Sequence, residues 1–393
     1  MKLIKKVLRK IFRFLKRIVK TFLMQFYSIK NIILFESVPD LSDNTKAVFD
    51  EMIRCGLNRE YKMYWKVSSD REFERYENVT YINTQTSQGR KLWKKLEWQA
   101  KALICCNGFL CPTRKKQVSF YLSHGTPIKS VKNYYTVPPK IQYSFSAGEG
   151  VKEIYAYELN VNESKVLCLG YPRNDALTNY KGDIKRFLET TCDKIIVWYP
   201  TFRQHKSGKS FTKSSSLPIL HDTEKAILLN ECARKNNALI VLKPHFAQDI
   251  SYIQDLGLSN IRFIDDSFFV KNNVTSYEFV GSCDALITDY SSIYYDFTLC
   301  DKPIALVWED IEEYKQSPGL IDDYEFWAKG AEKIYTLDEL EKFVCNVAKD
   351  IDLLKRERNE IKALSNYSAD GKNAERVVDF ILENIQCCNK EQN

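Results

Sequence analysis

After residue 30, the chain alternates short apolar segments with amphipathic ones along almost its whole length. NIILFES, ALICCN and ALIVLKPH are short apolar runs, typical of strands that are buried on both faces of a sheet. SDNTKAVFDEMIRCG has a polar start, helical spacing of its apolar residues and a glycine at its end, which predicts a helix. Strands that alternate with helices predict parallel sheets covered by helices on both faces.

Two such series of strands and helices follow each other, joined near residues 178–190, without an internal sequence repeat. A length of 393 residues is long for one domain and usual for two. The sequence therefore predicts an α/β protein with two Rossmann-like domains, at 31–185 and 186–365. A closing helix and tail are expected at 366–393.

The N-terminal segment is strongly basic, whereas the rest of the chain is nearly neutral. Residues 1–35 contain ten Lys and Arg and no acid, and the remainder carries 48 bases and 51 acids. Apolar residues follow helical spacing, and the longest uncharged run is nine residues, against about 20 for a membrane span. This predicts a basic amphipathic helix over 1–30 that lies on an anionic membrane surface.

Two alternatives to this membrane helix are considered. The helix could pack on the body of the protein and expose its basic face to solvent. Nucleic acid is not expected as a partner, because basic and aromatic residues do not continue to interleave in the body of the chain.

The cysteines and acidic residues give no pattern of a metal site. The chain has twelve cysteines but no CxxC pair, and we expect free thiols in a reducing compartment. Asp350 and Asp352 lie in a helical segment and are expected to be exposed. No metal and no cofactor are predicted.

Polar residues cluster where five predicted strands end, and in open α/β folds ligands bind beyond the carboxyl ends of the strands. The five segments are Ser123-His124-Gly125-Thr126-Pro127, Gly170-Tyr171-Pro172-Arg173-Asn174-Asp175, Tyr199-Pro200-Thr201-Phe202-Arg203, Lys243-Pro244-His245 and Thr288-Asp289-Tyr290-Ser291-Ser292.

Hydroxyls and backbone N–H groups at the turn after Thr288 favour an anion, although Asp289 or Ser291 could instead be an ordinary helix cap. Asp296 follows Ser292 by one helical turn, so both would share a face.

Cationic and titratable groups follow the other strands. Lys243 beside His245 suits a pyrophosphate leaving group, and the alternative is a solvent-facing loop. Arg173 and Arg203 could each bind phosphate oxygens or pair with surface acids. His124, which precedes a glycine, could reach a ligand or be a core histidine. The joint occurrence at five strand ends indicates a site that handles phosphate.

These motifs together resemble the CDP-glycerol glycerophosphotransferase family, the teichoic acid primases and polymerases. The resemblance rests on SHGTPIK, GYPRNDAL, YPTFR, KPHF, TDYSSIYYDF and DGKNAERVVDFI, in that order over about residues 31–385. The chain departs from the family pattern at Ser123 and Tyr199, where an aromatic residue and an alanine are usual. It also has Phe246 where a proline is usual.

The resemblance implies a GT-B-like fold that binds CDP-glycerol or a related CDP-polyol between its domains. It implies an acceptor hydroxyl on a lipid-linked saccharide or polyol-phosphate chain, and a peripheral position on the cytoplasmic face of the cell membrane. A nucleotide-sugar transferase and a non-catalytic binder that kept the fold are the alternatives.

The resemblance also implies roles for individual residues. His124 is the expected base, and His245 is the second expected catalytic residue. The donor side is expected to comprise Thr201, Arg203, Lys243, Thr288, Asp289, Ser291, Ser292 and, at the ribose, Asp296. The acceptor and phosphate side is expected to comprise Gly125, Thr126, Lys129, Arg173, Asn174 and Asp175.

Overall fold

A computed structural model describes Phe12 and residues 27–201, 217–244, 248 and 250–390. Almost all of the predicted basic helix over 1–30 therefore lies outside the described residues. Contacts divide the chain into two compact units. The first comprises residues 1–123, 138–144 and 377–393, and the second comprises residues 124–137 and 145–376.

The first sheet has seven strands in the order β3-β2-β1-β4-β5-β6-β7, and its pairings from β3 to β6 are parallel. The strands are β1 Ile32–Glu36, β2 Lys62–Val67, β3 Val79–Asn83, β4 Ala102–Cys105, β5 Val118–Tyr121, β6 Tyr143–Ser146 and β7 Val166–Cys168. In the register, Leu34 of β1 lies opposite Tyr64 of β2 and Leu103 of β4.

The second sheet has six parallel strands in the order β10-β9-β8-β11-β12-β13. They are β8 Lys194–Trp198, β9 Ala238–Leu242, β10 Ile261–Phe263, β11 Ala285–Thr288, β12 Ile304–Val307 and β13 Glu332–Ile334. All strands of the first sheet precede residue 185 and all strands of the second follow it. The domain bounds themselves stay a prediction.

Helices connect the strands, as the alternating pattern predicts. The α-helices are Asp43–Arg54, Ser87–Gln99, Lys152–Glu158, Asp175–Asn179, Ile184–Leu188, Thr223–Lys235, Ser251–Gln254, Asp266–Asn272, Ser276–Ser282, Ile293–Phe297, Ile311–Gln316, Tyr324–Trp327, Leu337–Ala348, Lys355–Ser365 and Asn373–Lys390. Short 3₁₀ turns occur at Leu57–Arg59, Glu149–Val151, Glu163–Lys165, Pro172–Asn174 and Thr298–Cys300.

Both faces of the second sheet are buried, because alternate side chains of a strand point to opposite faces. In β8, Ile195 and Val197 join one apolar cluster, whereas Ile196 and Trp198 join another on the opposite face. Strands β9, β11 and β12 divide their side chains between the same two clusters. This arrangement explains why these strands are continuous apolar runs in the sequence.

The predicted α/β class with two parallel sheets is confirmed. The eleven cysteines whose side chains are described are free thiols. Within the described part of the chain, no helix combines the length and the apolar composition that crossing a bilayer requires.

Candidate active site

Three of the polar segments leave one edge of the second sheet. Strands β9, β8 and β11 lie side by side and run parallel, so their carboxyl ends share that edge. Lys243 follows β9, Thr201 comes shortly after β8, and Asp289 directly follows β11. The second compact unit contains these segments and also the loops that begin at His124 and Gly170.

Asp289 holds together the segments that follow β8 and β11. Its buried carboxylate accepts hydrogen bonds from the backbone N–H of Thr201, at 3.0 and 3.1 Å, and of Tyr290, at 2.6 Å. The Thr288 hydroxyl donates to the carbonyl of Tyr199 at 2.7 Å. Both side chains therefore fix the neighbouring segment, and their predicted contact with the donor stays a prediction.

The two serines occupy the turn between β11 and the helix Ile293–Phe297. Ser292 is the cap residue of this helix, but its side chain makes no capping hydrogen bond. The Ser291 hydroxyl accepts a hydrogen bond from the N–H of Ile293 at 3.4 Å. Both serines are partly exposed, in contrast to the buried Thr288 and Asp289. They are therefore the hydroxyls of this motif that a ligand can reach.

The His124-Gly125 loop packs directly on this turn. Gly125 has φ of 141°, and a Cβ atom there would lie 2.2 Å from Oγ and 2.6 Å from Cβ of Ser292. The same atom would lie 3.2 Å from Nη2 of Arg173. Only glycine permits this approach, because both the backbone conformation and the space exclude a side chain. The structure thus brings three of the predicted segments together at Gly125.

His124 itself is exposed, and its ring lies edge-on to Tyr135 with 5.9 Å between the ring centroids. Its backbone carbonyl accepts a hydrogen bond from Nη1 of Arg173 at 2.9 Å. Next in the loop, Thr126 is buried, and its hydroxyl has no hydrogen-bond partner among the described residues.

Arg173 and Asp296 form a buried ion pair. Nη2 of Arg173 lies 2.7 Å from Oδ2 of Asp296, and the two side chains are 9% and 0% exposed. Oδ1 of Asp296 accepts a hydrogen bond from Nδ2 of Asn174 at 3.0 Å, and Oδ2 accepts one from the Tyr277 hydroxyl at 2.7 Å. The carboxylate is thus satisfied by protein groups, and binding of a ribose by Asp296 stays a prediction.

Sequence reasoning missed Tyr277. Besides its hydrogen bond to Asp296, its ring lies under the Arg173 guanidinium, with 4.9 Å from Cζ to the ring centroid. Tyr277 is 19 residues from Asp296 in the chain and follows no strand end, so no linear pattern connects it to the site.

Asp175 caps the closing helix. Its two carboxylate oxygens accept hydrogen bonds from the N–H groups of Asn373 and Ala374, at 2.9 and 2.8 Å. Burial raises the pKa of Asp175, and these two amide hydrogen bonds oppose that rise. Gly170 approaches Asn373 so closely that a Cβ would lie 2.0 Å from its Oδ1. The GYPRNDAL and DGKNAERV motifs therefore pack against each other.

The lysines of the site have defined partners. Nζ of Lys243 lies 3.0 Å from Oδ1 of Asp266 and 5.8 Å from the ring centroid of Tyr199. Lys129 pairs through its backbone with Leu320 in an antiparallel bridge. Next to it, the buried carboxylate of Glu158 accepts hydrogen bonds from the Ser130 hydroxyl and the N–H groups of residues 131 and 132. Glu158, which sequence reasoning also missed, thus orders the loop that carries Lys129.

Two predicted site residues, Arg203 and His245, lie outside the described residues. Among the described ranges, no group of three or more His, Cys, Asp and Glu side chains could hold a metal ion.

Curated proteins and solved structures resemble this chain over most of its length. The chain is 22% identical over 306 residues to a teichoic acid glycerol-phosphate primase of Bacillus subtilis, covering 72% of this chain and 75% of the relative. It is 27% identical over 320 residues to a teichoic acid glycerol-phosphate transferase of Staphylococcus aureus, covering 72% and 76%. A structure of the wall teichoic acid polymerase TagF, soaked with CDPG, matches with a TM-score of 0.72 and 22% identity, covering 96% of this chain and 98% of that one.

The family match extends over nearly the whole chain. Residues 18–383 match the family described as CDP-Glycerol:Poly(glycerophosphate) glycerophosphotransferase. The matched range includes every strand-end motif and the closing helix motif. The chain therefore belongs to the CDP-glycerol:poly(glycerophosphate) glycerophosphotransferase family.

Proposed function

We propose that this chain transfers glycerol phosphate, or a related polyol phosphate, from its CDP derivative to an acceptor hydroxyl, and releases CMP. The observation that carries the proposal is the packing of Gly125 on Ser292 and Arg173, because it joins three family motifs in one site. The acceptor is a lipid-linked saccharide or a polyol-phosphate chain in the synthesis of teichoic acid or another cell-surface polymer.

In the reaction, the acceptor oxygen forms a bond to the phosphorus that bears the glycerol. The bond from that phosphorus to the bridging oxygen breaks, and CMP leaves. His124 takes the proton from the acceptor hydroxyl, because an imidazole titrates near neutral pH. Its exposed ring, on a loop that Arg173 holds through the backbone, supports this role.

Positive and hydrogen-bonding groups stabilise the phosphates. Lys243, at the sheet edge after β9, and the predicted partners Arg203 and His245 neutralise the charge that develops on the leaving CMP. The hydroxyls of Ser291 and Ser292 bind the donor phosphates, because they are the accessible polar groups of the turn.

Other predicted site residues hold protein segments of the site in place through hydrogen bonds. The hydrogen bonds of Asp289 to Thr201 and of Thr288 to Tyr199 support a role for both residues in holding the segment that follows β8. Those of Asp175 favour a structural role at the closing helix over direct contact with an acceptor. Of the residues expected on the acceptor side, Lys129 is partly exposed and can contact an acceptor, whereas Thr126 and Asn174 are buried and support the loops that carry them.

The N-terminal segment 1–30 holds the enzyme to its acceptor. Its bases and helical spacing support binding to an anionic membrane surface, and the position we propose is peripheral, on the cytoplasmic face.

The test uses purified protein with CDP-glycerol, CDP-ribitol or UDP-N-acetylglucosamine. We expect a CDP-polyol, and not the sugar nucleotide, to raise the unfolding temperature, since a ligand that binds only the folded state stabilises it. With a membrane extract as acceptor source, the same CDP-polyol yields CMP, and His124→Ala reduces the release by about 100-fold or more. Protection by the sugar nucleotide alone would instead indicate a glycosyltransferase. Full activity of His124→Ala would refute the assignment of the base.

A further inference from the structure

We propose that Asp296 and Tyr277 are positioning residues that hold Arg173, and through it the backbone of His124, rather than groups that bind the donor. The inference rests on the proposed function. It assigns a role to Tyr277, which belongs to none of the family motifs in the sequence, and changes the one expected for Asp296.

The Asp296 carboxylate is buried among protein donors. Its side chain is 0% exposed, and its two oxygens accept hydrogen bonds from three different side chains, those of Arg173, Asn174 and Tyr277. Because this side chain is fully buried, a ribose hydroxyl could reach the carboxylate only if neighbouring side chains moved away from it. Loss of a hydrogen bond to a buried charge is costly, so the carboxylate is better suited to hold its neighbours than to bind a ligand.

The Arg173 guanidinium is held at both of its terminal nitrogens and across its plane. Nη2 is fixed by Asp296, and Nη1 donates to the carbonyl of His124. The plane of the guanidinium is held by two tyrosine rings, with 4.9 Å from Cζ to the centroid of Tyr277 and 5.6 Å to that of Tyr171. Because the guanidinium is planar and rigid, fixing one side of it also fixes the direction of the other. The position of the His124 backbone is thereby coupled to Asp296.

Tyr277 lies in the first turn of the helix Ser276–Ser282, which is fixed at its start and packed closely against the chain. Thr275 and Glu278 form a reciprocal capping box at its start. Gly281 lets this helix lie directly against the chain at Leu177, where a Cβ would come within 2.4 Å of the Leu177 carbonyl oxygen. Tyr277 is therefore presented to Arg173 by an element with a fixed start and a close packing contact.

The test separates donor binding from turnover. Asp296→Asn and Tyr277→Phe are compared with wild type for CDP-glycerol binding by calorimetry and for CMP release, with rates normalised to the sites that bind CDP-glycerol. We expect a Kd within about threefold of wild type for both variants. Turnover per site should fall by about 100-fold in Asp296→Asn, since misplacement by about 1 Å costs that much, and by roughly tenfold in Tyr277→Phe.

Tyr367→Phe is the matched control, because its ring lies 4.8 Å from Cζ of Arg376, which in turn pairs with Asp370 on the surface. It should leave both measurements unchanged. Tyr277→Phe keeps the ring under Arg173, so it tests the inference even if Asp296→Asn does not fold.

Three outcomes would overturn the inference. A Kd that rises tenfold or more in Asp296→Asn, with normal turnover at saturation, would mean that Asp296 binds the donor. Unchanged turnover per site in Tyr277→Phe, or in Asp296→Asn if that variant folds, would mean that the network only stabilises the fold. Wild-type protein that releases no CMP from any CDP-polyol would refute the proposed function first, and this inference with it.

Discussion

Replacing Gly125 by alanine tests the packing that joins the family motifs. The new Cβ would lie 2.2 Å from Oγ and 2.6 Å from Cβ of Ser292, far inside van der Waals contact, at a φ of 141°. The clash is with the start of a side chain on a short turn, so rotation of the Ser292 hydroxyl cannot relieve it.

The stability that Gly125→Ala loses has two parts. A non-glycine residue in a sparsely populated backbone region costs about 1–3 kcal/mol. Overpacking against Ser292 adds about 1–3 kcal/mol. Gly257 provides a partial control for the first part, since it also has a positive φ, of 63°, and no atom lies within 4 Å of its Cβ position. Gly125→Ala should therefore lower the free energy of unfolding by about 1–3 kcal/mol more than Gly257→Ala does.

Urea denaturation and CMP release measure the two consequences. Movement of the loop by about 1 Å would also displace His124, so CMP release by Gly125→Ala should fall by about 100-fold, while Gly257→Ala remains active. Adding Ser292→Gly to Gly125→Ala removes both clashing atoms and should restore at least about 1 kcal/mol of stability beyond additivity. Two results together would refute the packing of Gly125 on Ser292. Gly125→Ala and Gly257→Ala would be equally stable, and Ser292→Gly would not restore stability to Gly125→Ala.

The remaining predictions concern Lys333 and Asp175. Burial lowers the pKa of Lys333 to about 8, so the folded protein holds this proton less tightly than the unfolded chain, whose lysine pKa is 10.5. The wild type should therefore gain stability relative to Lys333→Met, by about 1–2 kcal/mol, as the pH rises from 8 to 10.5. If urea denaturation gave a stability difference between wild type and Lys333→Met that stayed constant across this pH range, the prediction would be contradicted. For Asp175, whose two oxygens each accept a hydrogen bond from a different N–H, Asp175→Ala should cost about 2 kcal/mol, and Asp175→Asn, which keeps one accepting oxygen, should cost about half as much. Equal losses in both variants would show that the charge, and not the cap, matters.

The sequence predicted most of the central strands, because they are buried on both faces. Strands such as β8 and β11 are continuous apolar runs, which short-range patterns detect. Strands β3, β6 and β13 were not predicted. The edge strands β3 and β13 have mostly half-exposed side chains, and the buried strand β6, with the sequence YSFS, has two serines in place of a continuous apolar run. Asp350 and Asp352 were expected in a helical segment but lie in the connection between the helices Leu337–Ala348 and Lys355–Ser365, where Asp350 has φ of 57°.

The sequence predicted which residues belong to the site, but not which of them contact each other. The motifs placed His124, Arg173 and Asp296 at one site, and their order along the chain carried the family resemblance. Arg173 and Asp296 are 123 residues apart, and Asp175 is 198 residues from the amide it caps at Asn373. Such partners are set by tertiary packing, so the sequence alone could not show whether an acid such as Asp296 contacts a ligand or holds its protein neighbours.

The most direct test of the central claim identifies the nucleotide released when the purified enzyme uses CDP-glycerol with a membrane-derived acceptor. Attack on the phosphorus that bears the glycerol predicts CMP, in amounts equal to the glycerol phosphate that appears in the acceptor. Release of CDP would mean that the bond between glycerol and phosphate is broken instead, as in a glycosyltransferase. Release of CDP, or of no nucleotide from a folded enzyme, would contradict the account.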